Sequence, residues 1–302
     1  MSDSQTPPTP KTQEAVPHIE LVTRPVGRLA PAPRPARPVS WERRLLATHS
    51  LLVYLFLYVP IVILILYSFN RSKQTAAWEG FTFDWYLRLF GNDLILRAVK
   101  NSLIVALLTT VAATIIGTLA ALALARGRFR GKSATQAALY LPIIIPEIVV
   151  GAALVTFFGV TGMRLSLTTV VIAHIAFCIS YVAIVVRARL AGFDRSLEEA
   201  ASDLGAGPWD TFRRVTLPII LPGIIAGALL VFTISIDDYV ITSFVAGVGA
   251  TTLPIQIYSM LKVGVTPEVN AVSTLLLLLT VVLIVIAQRL QQEPTSKGGN
   301  KK

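Results

Sequence analysis

Six long apolar stretches limit this chain to folds that satisfy their own backbone hydrogen bonds without help from water. Each stretch is long enough for a helix that crosses a bilayer, which takes about 20 residues. Lipid offers no partner to an open sheet edge or an extended segment, so the stretches predict an all-α membrane protein with six transmembrane helices. The predicted spans are Leu46–Phe69, Ser102–Ala125, Ala137–Phe158, Leu167–Val186, Ile219–Thr242 and Val272–Ala287, the last of which is expected to begin nearer Val269.

The composition agrees with a membrane protein. Hydrophobic residues make up 54% of the chain and charged residues only 15%, whereas soluble domains carry about a quarter charged residues. The net charge of +10 would suggest nucleic acid in a soluble protein, but here the basic residues flank apolar spans. Such a pattern is better explained by retention of the basic loops on the cytoplasmic face. The single cysteine, Cys178, excludes an intrachain disulfide.

The positions of lysine and arginine predict the orientation of the chain. Basic residues cluster after the second, fourth and sixth spans, and an even number of spans places both termini on one side. The positive-inside rule makes that side the cytoplasm of a multi-pass membrane protein. The segment after the first span breaks the pattern with its own basic residues, which are Arg71, Lys73, Arg88, Arg97 and Lys100.

The ends of the chain differ from its middle. Residues 1–40 are rich in proline and polar side chains, which predicts a disordered cytoplasmic tail, and residues 289–302 form a second cytoplasmic tail. Residues 41–100 are expected to hold the first span and an outer interfacial segment. Aromatic residues at helical spacing between Phe83 and Phe90 predict a short helix in that segment.

No catalytic or metal-binding constellation is visible in the sequence. Gly127 and Gly131 are separated by three residues, whereas a phosphate-binding loop has four. The three histidines are scattered, without cysteine partners at ligand spacing, so no metal site is predicted. His174 lies alone in the fourth span and is interpreted as a packed or hydrogen-bonded helix residue.

Three carboxylates fall inside predicted spans, namely Glu147, Asp237 and Asp238. Burying such a group in lipid costs several kcal/mol, so it usually faces a cavity or has a partner. Ser235, Asp238 and Thr242 have the spacing of one stripe on a helix, and only one of the two adjacent aspartates would face a solute squarely. We expect these five residues to line a pathway for a cationic solute; the alternative is a structural hydrogen bond between helices.

The segment from Glu199 to Pro218 is a polar interruption between spans. Apolar residues at helical spacing lie on both sides of Gly205 and Gly207, which predicts a helix–turn–helix. Such an element could dock in a groove of a soluble partner. An ordinary amphipathic loop at the membrane surface is the alternative.

This segment resembles the E-A-A-x3-G-x9-I-x-L-P loop of ABC importer permeases. The spacing agrees throughout, and valine stands in place of the usual isoleucine. The matching residues are Glu199, Ala200, Ala201, Gly205, Val215, Leu217 and Pro218. The resemblance implies the type I ABC importer permease fold over residues 101–288, with a coupling loop at residues 196–218 that enters a cleft of an ATPase.

Within that family the chain is similar to spermidine/putrescine permeases, on the residues Pro146-Glu147, Ser235-Ile236-Asp237-Asp238 and Thr252-Leu253-Pro254. The resemblance implies that it translocates polyamine by alternating access as a transport subunit, not an enzyme. Its expected partners are a second related permease, two ATPase subunits that bind ATP and magnesium, and an extracytoplasmic polyamine-binding protein. The chain itself is expected to bind no cofactor. The alternatives are a permease for iron, thiamine or a phosphonate, or a membrane channel or enzyme outside this family.

Overall fold

The computed structural model describes residues 40–73 and 77–291, and the regular elements in these ranges are helices. The chain divides into two compact units, residues 1–54 and 55–302. In the first unit the structure describes residues 40–54, which are helical. The tails predicted from the sequence lie outside the described residues, except for positions 40 and 289–291, which are helical.

Twelve α-helices and one π-helical turn follow one another in the described residues. They are α1 (Ser40–Tyr67), α2 (Asp84–Leu89), α3 (Asp93–Arg126), α4 (Lys132–Ile144), α5 (Glu147–Val160), α6 (Leu167–Ala191), α7 (Ser196–Asp203), α8 (Pro208–Thr211), the π-helical turn (Phe212–Thr216), α9 (Leu217–Asp237), α10 (Val240–Val245), α11 (Leu253–Val263) and α12 (Pro267–Gln291).

Five helical segments in the described residues are long and apolar enough to cross a membrane, and the count rises to six if α4 and α5 form one span. The predicted span over Ala137–Phe158 is divided between these two helices, which meet at 112°. Pro146 explains the break: it has no N–H to continue the helix, and it forces the preceding residue, Ile145, into an extended conformation.

The fifth span also ends earlier than predicted. Helix α9 ends at Asp237, and Asp238 has an extended backbone with φ −64° and ψ 124°. Thr242 lies beyond this break on α10. The prediction that Ser235, Asp238 and Thr242 share one helical stripe is therefore wrong, since the helix does not continue through them.

The core is formed where α3, α6 and α9 pack against one another. Small residues of α3, including Ala106, Ala113 and Ala121, are fully buried. At Gly117 an added Cβ would lie 2.7 Å from Val182 Cβ and 2.9 Å from a backbone oxygen of α6. Hydrophobic attraction is weak between helices in lipid, so small residues stabilise a bundle by letting backbones come this close.

We predict that Gly117→Ala destabilises the protein by about 1–3 kcal/mol, because the new methyl group must push α3 away from α6. The measurement is the thermal unfolding midpoint in detergent. Gly159→Ala in α5 is the control, since an added Cβ there meets no atom within 4 Å. Equal midpoints for the two variants would contradict the close approach of α3 and α6.

Candidate solute pathway and coupling loop

The break after α9 is stabilised by the carboxylate of Asp238. Its Oδ2 accepts a hydrogen bond from the backbone N–H of Thr242 at 2.8 Å and another from the Thr242 hydroxyl at 2.7 Å. Its Oδ1 lies 3.4 Å from the backbone nitrogen of Ile241. The first N–H groups of a helix have no partner within that helix, so Asp238 satisfies donors at the start of α10.

His174 of α6 connects both sides of the break. Its Nδ1 lies 2.8 Å from Ser235 Oγ on α9, and its Nε2 lies 2.9 Å from Thr242 Oγ1 on α10. The same Nε2 is 3.2 Å from Asp238 Oδ2. The imidazole and both hydroxyl residues are buried. A ring that carries its proton on Nε2 can donate to Asp238 while Nδ1 accepts from Ser235, so the buried polar atoms satisfy one another.

Asp237 is placed differently from its neighbour. It is exposed, and it lines a cavity of about 390 Å³ between the end of α9 and helices α11 and α12. Tyr239, Tyr258, Ser273 and Thr280 contribute the other polar groups of the lining, and the two tyrosine rings lie 4.5 Å apart. Of the two adjacent aspartates, only Asp237 lines this cavity.

Glu147 lies at the other broken span, as the first residue of α5. Its side chain is exposed, and Pro146 before it offers no side-chain cap. A helix N-terminus attracts negative charge, which favours a carboxylate at this position. Helix α5 also packs against α10, where Gly151 lies under the ring of Phe244. Glu147 therefore begins the helix that packs against α10, whose first N–H groups Asp238 satisfies.

The five candidate pathway residues thus form two groups. Ser235, Asp238 and Thr242 are joined in a buried network, whereas Glu147 and Asp237 are exposed. The expectation that His174 is a packed or hydrogen-bonded helix residue is confirmed, but its connection to Asp238 was not predicted. Matching depth of His174 and Ser235 in neighbouring spans was the signal that could have suggested this connection.

The coupling loop (residues 196–218) has the helix–turn–helix form expected from its sequence. Helix α7 is followed by a turn and then by α8, which continues through the π-helical turn into α9. The exposed carboxylate of Asp194 accepts the backbone N–H of Ser196 at 3.0 Å and so supports the start of α7. This hydrogen bond lowers the pKa of Asp194 below its ordinary value.

Gly205 forms the turn of the coupling loop. Its φ of +86° lies in the left-handed region, which glycine adopts with little strain and other residues rarely adopt. The N–H of Ala206 reaches back to the carbonyl oxygen of Ala201 at 3.0 Å, which closes the end of α7 in the usual glycine-terminated way. The left-handed conformation therefore explains why the matched sequence pattern has a glycine at this position.

The outer surface of the coupling loop exposes two large apolar side chains. Leu204 is 90% exposed and Trp209 is 70% exposed. Glu199 and Ala200 are also exposed, and Ala201 is half-buried. Leu217 and Pro218 lie in the first turn of α9, at positions where proline is compatible with a helix. An exposed surface with two large apolar side chains is typical of a protein–protein contact.

Membrane-spanning helices, a polar break within the bundle and an exposed helix–turn–helix define a membrane permease subunit. The chain belongs to the family of binding-protein-dependent transport system inner membrane components, whose family model matches residues 113–292. Members of this family are multi-pass transport subunits of the inner membrane.

Named relatives cover most of the chain. The spermidine/putrescine transport system permease protein PotC of Haemophilus influenzae is 45% identical over 74% of this chain and 87% of its own length. The protein of the same name from Escherichia coli K12 is 43% identical over 80% of this chain and 92% of its length. The putrescine transport system permease protein PotI of Escherichia coli K12 is 44% identical over 75% of this chain and 83% of its own length.

Solved structures with the same fold are more distant in sequence. A bacterial ABC transporter involved in the import of the acidic polysaccharide alginate matches with a TM-score of 0.68 at 20% identity, over 84% of this chain and 96% of that chain. The MetNI methionine ABC transporter in an inward-facing conformation matches with a TM-score of 0.54 at 20% identity, over 69% and 96%. These similarities confirm the ABC importer permease fold.

We predict that His174→Leu destabilises the protein by about 2–4 kcal/mol, because it leaves the buried Ser235 hydroxyl without this partner and removes one of the donors to Asp238. Thermal unfolding in detergent measures the effect. Asp237→Asn is the control, since this neighbouring carboxylate is exposed and should leave the midpoint nearly unchanged. A midpoint for His174→Leu equal to that of the control would contradict the structural role of the network.

Proposed function

We propose that this chain is a membrane subunit of an ATP-driven importer and that its solute is a polyamine such as spermidine or putrescine. The observation that carries the solute class is the exposed carboxylate of Asp237 in a cavity at a helix break. An intramembrane acid of this kind is expected to have a function. The names of relatives at 43–45% identity support the same class of solute.

The carboxylates would take different roles in transport. Asp237 and Glu147 are exposed and offer transient counter-charges to the ammonium groups of a polyamine. Asp238, Ser235 and Thr242 keep the break in position through His174 and so act on the solute indirectly. A pathway must bind its solute weakly enough to release it, and a buried, fully hydrogen-bonded Asp238 fits a positioning role better than a binding role.

The orientation and the partners follow from the charge pattern and the family. The positive-inside rule favours cytoplasmic termini and a cytoplasmic coupling loop. A second related permease would complete the membrane domain, and an extracytoplasmic binding protein would deliver the polyamine. Two ATPase subunits, which bind ATP and magnesium, would receive the coupling loops. Closure of the ATPases would then move the spans between outward and inward access.

Other solutes fit the same fold less well. A phosphonate would need arginine, lysine or helix N-termini for its oxyanion, whereas the intramembrane charges nearest the break are acidic. An iron or thiamine permease would share the preference for a cation, and solute competition separates these cases from a polyamine. A standalone channel would have no use for the exposed coupling loop, and an enzyme would need a catalytic constellation.

We predict that Asp237→Asn raises the KM for putrescine uptake about tenfold, because the neutral amide loses one charge–charge attraction worth about 1.4 kcal/mol. Uptake is measured in vesicles that contain the assembled transporter and its binding protein. The control is Asp84→Asn, the same change at an exposed carboxylate of α2 outside the cavity. Uptake by Asp237→Asn with the KM of the control would contradict the role of Asp237.

We also predict that Gly205→Ala reduces polyamine-stimulated ATP hydrolysis, because alanine in the left-handed region costs about 1–2 kcal/mol and distorts the turn. The measurement is hydrolysis by the purified complex with and without the loaded binding protein. Gly207→Ala is the matched control, since Gly207 has an ordinary φ of −69° and open space around it. Normal stimulation in Gly205→Ala would argue against a loop whose function depends on this turn.

A further inference from the structure

Glu198 stands one position before the residues that match the family pattern, and it points back into the protein. Its carboxylate contacts the guanidinium of Arg126, the last residue of α3, and the hydroxyl of Thr216, the last residue of the π-helical turn. Arg126 Nη2 also lies 3.2 Å from Thr216 Oγ1. The three side chains therefore close a triangle between α7, α3 and the start of α9.

The triangle lies at the boundary between protein and solvent. Thr216 is fully buried, and the Glu198 side chain is 21% exposed against 37% for Arg126. Charged hydrogen bonds are stronger and more directional than neutral ones, and partial burial protects this pair from solvent. A second hydrogen bond also joins the residue just before α7 to α3: Arg195 Nη2 donates to the backbone oxygen of Ala125 at 3.3 Å. That carbonyl belongs to the last turn of α3, where carbonyl groups have no partner within the helix.

The π-helical turn determines where the contact between Glu198 and Thr216 lies in the fold. The N–H of Leu217 bonds to the carbonyl oxygen of Phe212, which inserts one extra residue into the turn between α8 and α9. Such turns occur often at functional sites. Here the turn ends at Thr216, so the hydroxyl that meets Glu198 belongs to the joint between the coupling loop and the fifth span.

We propose that Glu198 is a positioning residue that joins the coupling loop to two spans, so that a displacement of α7 moves the ends of α3 and α9 together. Glu199 of α7 and Leu204, which directly follows α7, are exposed and available to a partner. A partner that displaces the outward face of α7 would thus move the ends of α3 and α9 through Glu198. This inference rests on the proposed function, in which the coupling loop meets an ATPase.

The test is Glu198→Ala in the assembled transporter, with its ATPase, sister permease and binding protein. We expect normal co-purification and normal basal ATP hydrolysis, but a loss of about fivefold in stimulation by putrescine-loaded binding protein. Arg126→Ala should give the same loss, and the double variant should be no worse than either single variant, because one contact is removed in each case. The charge exchange Glu198→Arg with Arg126→Glu should restore part of the stimulation.

Asp210→Ala is the matched control, since it breaks the exposed pair between Asp210 and Arg214, whose atoms lie 3.6 Å apart within one continuous helical segment. It should keep full stimulation. Additive losses in the double variant, or the same loss in the control, would overturn the proposal. A wild-type complex that polyamines fail to stimulate would instead count against the proposed function, whereas a stimulated wild type with an unchanged Glu198→Ala would count against Glu198 alone.

Discussion

A carboxylate inside an apolar bundle needs hydrogen-bond donors, and Asp238 finds them on two neighbouring elements. The backbone and hydroxyl of Thr242 and the ring of His174 all lie within 3.2 Å of its Oδ2. The bond from the Thr242 N–H to the carboxylate requires that α9 end at Asp237, because in a continuous helix this N–H would donate to the carbonyl oxygen of Asp238. The break leaves Asp237 on the side of the cavity. The interactions of Asp238 therefore determine where the exposed carboxylate of Asp237 lies.

The same division into a fixed side chain and an exposed neighbour occurs at the coupling loop. Glu198 contacts Arg126 and Thr216, whereas Glu199 beside it is exposed. In both places adjacent acidic residues point in different directions. Glu198 and Glu199 do so because successive residues of a helix are about 100° apart, and Asp237 and Asp238 do so because the helix ends between them. One acid of each pair stabilises the local structure, and the other is available to a solute or to a partner protein. The close packing of α3, α6 and α9 lies between these two places and can carry a displacement from one to the other.

The sequence allowed the helical class and the turn at Gly205 to be predicted, because each depends on local composition or spacing, and its resemblance to the E-A-A loop pattern implied the ABC importer permease fold. It did not allow the breaks at Pro146 and Asp238 to be placed. Proline is tolerated in membrane helices when neighbours satisfy the backbone, so Pro142 and Pro222 remain within helices while Pro146 ends one. The outcome at Asp238 depends on His174, which lies 64 positions earlier in the sequence and approaches only after α6 and α9 have packed.

The central claim is that a transporter containing this chain imports polyamines at the expense of ATP. The most direct measurement is uptake of labelled putrescine and spermidine into vesicles that contain the chain with its sister permease, ATPase subunits and binding protein. We expect accumulation that requires ATP and that unlabelled polyamines suppress, whereas thiamine and ferric iron do not. Accumulation without ATP, or suppression by thiamine or iron in place of polyamines, would contradict the account.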